Sequence, residues 1–437
     1  MAIDSFSIDF HRDDSTPGVR TEQTLLGLSA IFLLVNFLAL ALSRPATSVL
    51  DWLHLAAWLA CALLGQWLLQ RRLPQHDPLL FPLTMFLSGW GLVLIDRLAP
   101  IFADRQTVWL IVSVAAMLAV AIFPQPLRWL RSFRYVLLVI GLILLVSTII
   151  LGTNPSGQAS APQLWLGIGS IYFQPSEALK IILVGFLASY LAEQYPALRA
   201  KELNTENRRL LVSPRIYGPV LLMWGLSVVM LIWQRDLGTA ILFFVVFLVL
   251  LYVASGYTLL LLSGAVLIAI AGLVAYNRFD VVQLRVDIWL NPWPEAEGRA
   301  FQIVQSLLAF AAGGVFGQGV GQGSPTYIPV VHSDFVFAAL AEEWGLLGVI
   351  AAICGIVLFV VRGMRIATRQ NVRPFLSLLA LGLSMLIATQ SLLIMGGVLK
   401  LLPLTGVTLP FLSYGGSSLL ASFIIVGLLL RLSAVEN

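Results

Sequence analysis

The sequence predicts an all-α, multi-pass membrane protein of about twelve transmembrane helices, and three observations carry that prediction. Of 437 residues, 59% are hydrophobic and 11% charged, whereas a soluble domain has about a quarter of its residues charged. The apolar residues fall into continuous runs near the ~20 residues that a helix needs to cross a hydrocarbon core. The runs do not alternate apolar with polar positions, which excludes a membrane β-barrel.

Residues 1–23 form an N-terminal segment containing Asp4, Asp9, Asp13, Asp14 and Glu22. No small-residue cleavage site follows the first apolar run, so that helix is expected to be retained. Spans are expected at 24–43, 50–69, 78–95, 106–123, 134–151, 175–194, 217–235, 237–255, 258–275, 335–361, 374–397 and 408–430. An even number puts both termini on one side. With those termini cytoplasmic, the inner segments hold 17 Lys and Arg residues and the outer ones eight, a positive-inside bias. The longest loop, 276–334, therefore faces outside, and loops of that length are usually functional or disordered. Within it, Phe301–Phe316 is too short and too glycine-rich to span and reads as an interfacial or re-entrant helix.

The net charge of +4 comes from scattered loop residues with no run of like charge, so it reads as an orientation signal and not as a nucleic-acid surface. Cys61 and Cys354 stand singly in apolar runs and read as small core hydrophobes.

Charges inside spans are expensive and each needs a reason. Glu177 and Lys180 are i,i+3 neighbours at the start of a helix after Pro175, either a structural ion pair or the polar lining of a headgroup cavity. Asp236 lies at an outer boundary where it either caps the following helix or acts directly. The outer loop interleaves Arg278, Asp280, Arg285, Asp287, Asn291, Glu295, Glu297 and Arg299 with Trp289 and Trp293. Cations beside acids at a bilayer surface suit an anionic headgroup with an acid as general base; a solvated loop anchored by tryptophan has the same composition.

A glycine run from Gly313 to Gly323 makes a turn without the Gly-Lys-Ser/Thr of a phosphate loop. It leads to His332, Ser333 and Asp334, whose spacing is neither a metal motif nor a triad, and to adjacent Glu342 and Glu343 inside an apolar helix, where at least one must face protein or water. Residues 403–418 interrupt a helix with two prolines and three glycines, irregular backbone of the kind tolerated where it lines a cavity. These features describe a polar, outward-facing cavity in a polytopic protein and leave enzyme and transporter both open.

Read together, FQPSEALK at 173–180, QRDLGT at 234–239, the FQIVQS to GQGVGQGS run at 301–324, PVVHSDFVFAALAEEWG at 329–345 and PLTGVTLPFLSYGGSS at 403–418 resemble the SEDS family (shape, elongation, division and sporulation), nearest its RodA-like members. The resemblance implies a peptidoglycan glycosyltransferase that polymerises lipid II into glycan strands at the outer face of the bacterial cytoplasmic membrane, for cell shape or division. Its partners would be lipid II, the nascent strand, membrane lipids and a class B penicillin-binding protein, with no nucleic acid. It implies a typical ten-span core, so the N-terminal helices in 24–151 include a two-helix extension and 152–437 form the core.

Substrate contacts are implied for Arg285, Arg278, Arg299, Lys400, Glu177, Lys180, Gln305, Asp334, Glu342, Glu343 and Ser413. A divalent cation, Mg or Mn, would fit this chemistry, although no ligand cluster in the sequence demands one. One departure bears on mechanism: Asn291 stands where the family's acid is expected in a Leu-Asp-Pro segment, and an amide takes no proton. Three readings follow: the chain is catalytically impaired, Asp287 has taken over, or that acid is dispensable. A lipid II flippase and a non-catalytic scaffold that activates a transpeptidase are the alternative functions.

Overall fold

The computed structural model describes residues 17–44, 51–154, 163–169, 171–199, 225 and 236–435. Among these are fourteen α-helices: α1 Pro17–Ser43, α2 Asp51–Arg72, α3 Leu80–Leu98, α4 Pro100–Ile122, α5 Gln125–Ser132, α6 Arg134–Leu151, α7 Pro175–Arg199, α8 Leu237–Ser255, α9 Thr258–Arg278, α10 Asp280–Leu290, α11 Phe301–Gly313, α12 Val336–Arg369, α13 Pro374–Val398 and α14 Gly416–Ser433. One antiparallel hairpin, β1 Leu166–Ile168 with β2 Ile171–Phe173, precedes α7. Eleven helices among the described residues are long and apolar enough to cross a membrane. The expected span at 217–235 lies outside the described residues, Gly225 apart.

Burial separates the helices into a hub and a rim. α3, α7, α13 and α14 are mostly buried within the protein, whereas α9 touches little except α8 and α10 and is exposed along nearly its whole length. α14 packs along α4, α12 packs along α13, and α7 sits against α6, α8 and α13. Close approach requires glycine at α3: a Cβ on Gly91 would lie 2.6 Å from the Phe411 carbonyl oxygen, so only glycine admits the irregular segment before α14.

α12 has 34 residues, about 50 Å of helix against a hydrocarbon core of about 30 Å. It is broken at Gly345, where φ is +66° and ψ −165°. The freed backbone groups find partners in the glycine-rich loop after α11. Gln318 N donates to Glu342 O at 2.9 Å and Gly319 N to Glu343 O at 3.0 Å, while Leu346 N and Leu347 N donate to Gly314 O and Val315 O. A broken helix at membrane depth is stable when its polar groups are satisfied in this way.

Three expectations need correction. The last span begins at residue 416, not 408, because Pro410 and the pair Gly415 and Gly416 keep the preceding stretch irregular. The helix expected at 335–361 continues to Arg369, since nothing before the turn at 370–373 stops it. Cys354 is exposed on the lipid-facing side of α12, while Cys61 is buried as expected.

Candidate functional site

α10, α11 and the segments before α11, before α12 and after α13 enclose a cavity of about 230 Å³ lined by Arg285, Trp289, Arg299, Gln302, Asp334 and Lys400, with apolar and glycine residues filling the wall. Its polar wall is assembled from helix periodicity. On α10, residues 284, 285, 288 and 289 share the face that lines the cavity, as an α-helix at 3.6 residues per turn dictates. α11 adds Gln302 and Ile303, and the turn after α13 adds Lys400, Leu402, Leu404 and Gly406.

Arg285 donates through Nη1 to the Thr405 carbonyl at 3.4 Å. Burial lowers its pKa, and the charges of Asp334 and Asp236 oppose that shift. Asp334 is the reciprocal case. Burial raises its carboxyl above the usual range, while a hydrogen bond from the Ser333 hydroxyl at 3.0 Å and the charge of Arg285 pull it down. Asp236 caps α8 as one of the two sequence readings expected, accepting from Thr239 N at 3.1 Å and from the Thr239 hydroxyl at 2.8 Å.

Arg299 lines the cavity and forms a two-pronged ion pair with Glu295, whose Oε2 accepts from Nε at 2.9 Å and whose Oε1 accepts from Nη2. This pair holds the Glu295 carboxyl below its ordinary pKa. Lys400 has a left-handed backbone at φ +59°, and its carbonyl accepts from Trp289 Nε1 at 3.1 Å. Among the described residues the other non-glycine positions with positive φ are Val330 at +55°, in the segment before α12, and Phe411 at +67°, in the segment before α14, and such outliers persist where surroundings over-determine them.

Several residues named from the sequence lie elsewhere. Asp287 is two residues from Arg285 and so points away from the lining face of α10; it is exposed and accepts from the Tyr276 hydroxyl at 3.0 Å. Asn291 is exposed and ends α10, its N–H donating to Asp287 O at 2.9 Å. Arg278 ends α9 in an exposed position, and Gln305 is half-buried; neither lines the cavity.

Glu177 and Lys180 are a buried bridge and not a lining. Lys180 Nζ donates to Glu177 at 2.7 Å and to Gln390 Oε1 at 3.1 Å, and Gln390 Nε2 donates to Thr408 O at 2.8 Å. Glu342 accepts from Ser324 N at 2.7 Å and Glu343 from Arg97 Nε at 2.9 Å, so both anchor the glycine-rich loop at the break in α12. Ser413 is buried and donates to Ser333 O at 2.6 Å, tying the segment before α14 to the one bearing Asp334.

Sequence reasoning missed Gln302, Gln390, Thr405 and Arg97. Gln302 lay inside a quoted motif, three residues and nearly one helical turn before the named Gln305; Arg97 was counted only as an orientation charge. Among the described residues no group of three or more His, Cys, Asp or Glu side chains is placed to hold a metal ion.

Residues 79–437 match the family model for FtsW, RodA and SpoVE, described as cell cycle proteins. The chain is 38% identical over 377 residues to the peptidoglycan glycosyltransferase RodA of Mycobacterium tuberculosis, covering 84% of this chain and 79% of that one. It is 31% identical over 377 residues to the probable peptidoglycan glycosyltransferase FtsW of Pseudoalteromonas atlantica, covering 82% and 73%. Among solved structures, a chain of a peptidoglycan synthase complex that coordinates polymerization and crosslinking superposes with a TM-score of 0.66 at 27% identity, covering 82% of this chain and 97% of that one. The rod shape determining protein RodA of Thermus thermophilus superposes with a TM-score of 0.58 at 25% identity, covering 82% and 96%.

Proposed function

Since the chain belongs to the FtsW, RodA and SpoVE family, we propose that it is a peptidoglycan glycosyltransferase that polymerises lipid II into glycan strands, with the outer cavity as the place of reaction. The observation that carries this reading is the cavity itself: Arg285, Arg299 and Lys400 line one space of about 230 Å³ together with Asp334, and Glu295 is bound to Arg299 beside it. Three cations suit a pyrophosphate, whose charge grows as its bond to the sugar breaks.

The growing strand donates through its anomeric carbon. The acceptor hydroxyl of lipid II forms the new bond to that carbon, the bond from carbon to pyrophosphate oxygen breaks, and the lipid pyrophosphate leaves with the electron pair. The hydroxyl proton goes to a carboxylate. Of the outer-loop acids, Glu295 suits this role best, because it is bound to Arg299 at the cavity wall, whereas Asp287 faces Tyr276. When Arg299 turns to the pyrophosphate, Glu295 loses the cation that depresses its pKa and becomes a stronger base. On this reading the amide at Asn291 does not impair the enzyme. Among the described residues no group of three or more His, Cys, Asp or Glu side chains is placed to hold a divalent cation, and Glu295 and Asp334 are bonded to Arg299 and the Ser333 hydroxyl.

The protein is a multi-pass membrane protein. Both termini in the cytoplasm and a membrane-anchored class B transpeptidase as partner complete the proposal; the positive-inside bias supports the first, and the likeness to a chain from a synthase complex supports the second. The test is strand formation from labelled lipid II by the purified full-length protein, alone and with its transpeptidase. Long glycan products are expected. Translocation of lipid II across vesicles with no strands under either condition would overturn the proposal in favour of a flippase.

A further inference from the structure

Resting on the reading of the cavity as a pyrophosphate site, we propose that Trp289 is a positioning residue that holds the left-handed turn at Lys400 against α10 so that the lysine side chain forms part of the cavity wall. A lysine gains nothing of its own from φ +59°: it lacks the short polar side chain that lets Asn or Asp stabilise this region locally. Glycine would sit there without strain, but it would remove a cation from the cavity. The conformation is instead imposed by the end of α13, whose C-terminal hydrogen-bond pattern requires a left-handed residue at this place.

The turn after α13 is pinned at several backbone groups. Lys400 N donates to Gly397 O at 3.1 Å, and Leu401 N and Leu402 N both donate to Gly396 O, at 2.8 and 3.0 Å. The buried Ser306 hydroxyl of α11 donates to Val398 O at 2.9 Å. The Lys400 carbonyl receives its hydrogen bond from outside the turn, from Trp289 Nε1 at 3.1 Å across 111 residues of chain. That bond fixes the orientation of the Lys400 peptide relative to α10, the helix that carries Arg285. Trp289 and Lys400 both line the cavity, so the indole acts twice: its ring forms wall, and its N–H sets where the neighbouring cation stands. An indole N–H is a donor only, which suits a bond to a carbonyl that a phenyl ring cannot make.

The test uses the full-length protein with Trp289→Phe, which keeps an aromatic wall and deletes the donor, Lys400→Met, which keeps the stem and deletes the charge, and the two combined. Trp289→Phe is expected to raise the KM for lipid II about fivefold, with kcat changed less than twofold, and to flatten the ionic-strength dependence of KM as Lys400→Met does. The combined variant is expected to be no worse than Lys400→Met alone. Lys400→Gly should raise the unfolding temperature while showing the same rise in KM. Losses that add in the combined variant, or a Trp289→Phe protein whose unfolding temperature falls with no change in KM, would overturn the proposal. Binding of fluorescent lipid II in detergent separates this from the functional reading: wild-type protein that binds but forms no strands, with Trp289→Phe binding weakened about fivefold, sinks the polymerase and leaves the positioning role standing. Active wild-type protein with unchanged binding in Trp289→Phe does the reverse.

Discussion

Two regions of this molecule place charge beside the membrane and do opposite things with it. In the hub, Lys180 and Glu177 are both under 10% exposed, and the ammonium is shared between a carboxylate and the Gln390 amide oxygen. In the outer cavity, Arg285 has one long bond to a carbonyl and Lys400 contributes its carbonyl, not its ammonium, to the hydrogen bond with Trp289. Both regions raise the same alarm in a sequence, an ionisable residue near apolar runs. The hub spends its charges on one another to join α7 to α13. Among the described residues, Arg285 and Lys400 of the cavity form no ion pair while Arg299 is held by Glu295, and that difference, not the presence of charge, distinguishes the cavity from the hub.

The largest expected effect falls on the cavity. Arg285→Ala should lower polymerisation about 100-fold or more, the scale of losing one donor to developing charge, with little change in unfolding temperature. Glu295→Gln should do likewise, while Asp287→Asn and Asn291→Asp stay within about threefold of wild type. Strand yield from labelled lipid II checks all four, and a 100-fold loss in Asp287→Asn would move the base to that residue.

The hub should answer in stability. Lys180→Met leaves Glu177 buried without its cation and is expected to cost about 3–5 kcal/mol, read as thermal unfolding in detergent. Adding Glu177→Gln should recover most of that loss. A Lys180→Met protein that folds normally but binds lipid II poorly would return the pair to the substrate path.

Much of this division was legible in the sequence and some was not. Hydropathy located the spans because the bilayer demands length and apolarity, which are local properties; α6 was expected at 134–151 and lies at Arg134–Leu151. Arg285, Arg299 and Asp334 were singled out from the sequence, and the fold brings all three to one cavity. Partnership was not legible, because Lys180 meets Gln390 across 210 residues and Arg97 meets Glu343 across 246. Nor was helical phase at an uncertain boundary: Asp287 was named because it lies four residues before Asn291, and the observed α10 turns it away from the face that lines the cavity.

An intermediate effect should come from the seam between these regions. Arg97 binds Glu343 at 2.9 Å and the Gly323 carbonyl at 2.9 Å, joining α3 to the break in α12. Arg97→Gln leaves a buried carboxylate short of its partner and should cost about 1–3 kcal/mol. Because α11 runs directly into the loop held there, strand yield should fall severalfold as well; unchanged yield in a destabilised variant would show that the break is structural alone.

The smallest effect concerns pH and lies at the opposite face. His76, between α2 and α3, has both ring nitrogens against acceptors, Nδ1 at 2.6 Å from Leu73 O and Nε2 at 3.2 Å from Glu22 Oε1. A protonated ring can donate at both nitrogens, so these contacts favour the imidazolium. Burial pulls its pKa down, but the hydrogen bond and charge of Glu22, the Leu73 carbonyl and the charge of Asp77 together raise it above the ordinary value; Asp77 is itself bound to Arg362. A raised pKa in the folded state means that the stabilisation is complete below the unfolded value of about 6.5 and is lost as pH climbs through the folded one. The unfolding temperature of wild-type protein should therefore drop over that interval, and His76→Gln should flatten the drop. His76 does not line the cavity, so the pH profile of lipid II binding should not follow this window. A binding curve that tracked the unfolding curve would show that α1, which carries Glu22, is coupled to the cavity, and the two regions would then have to be treated as one.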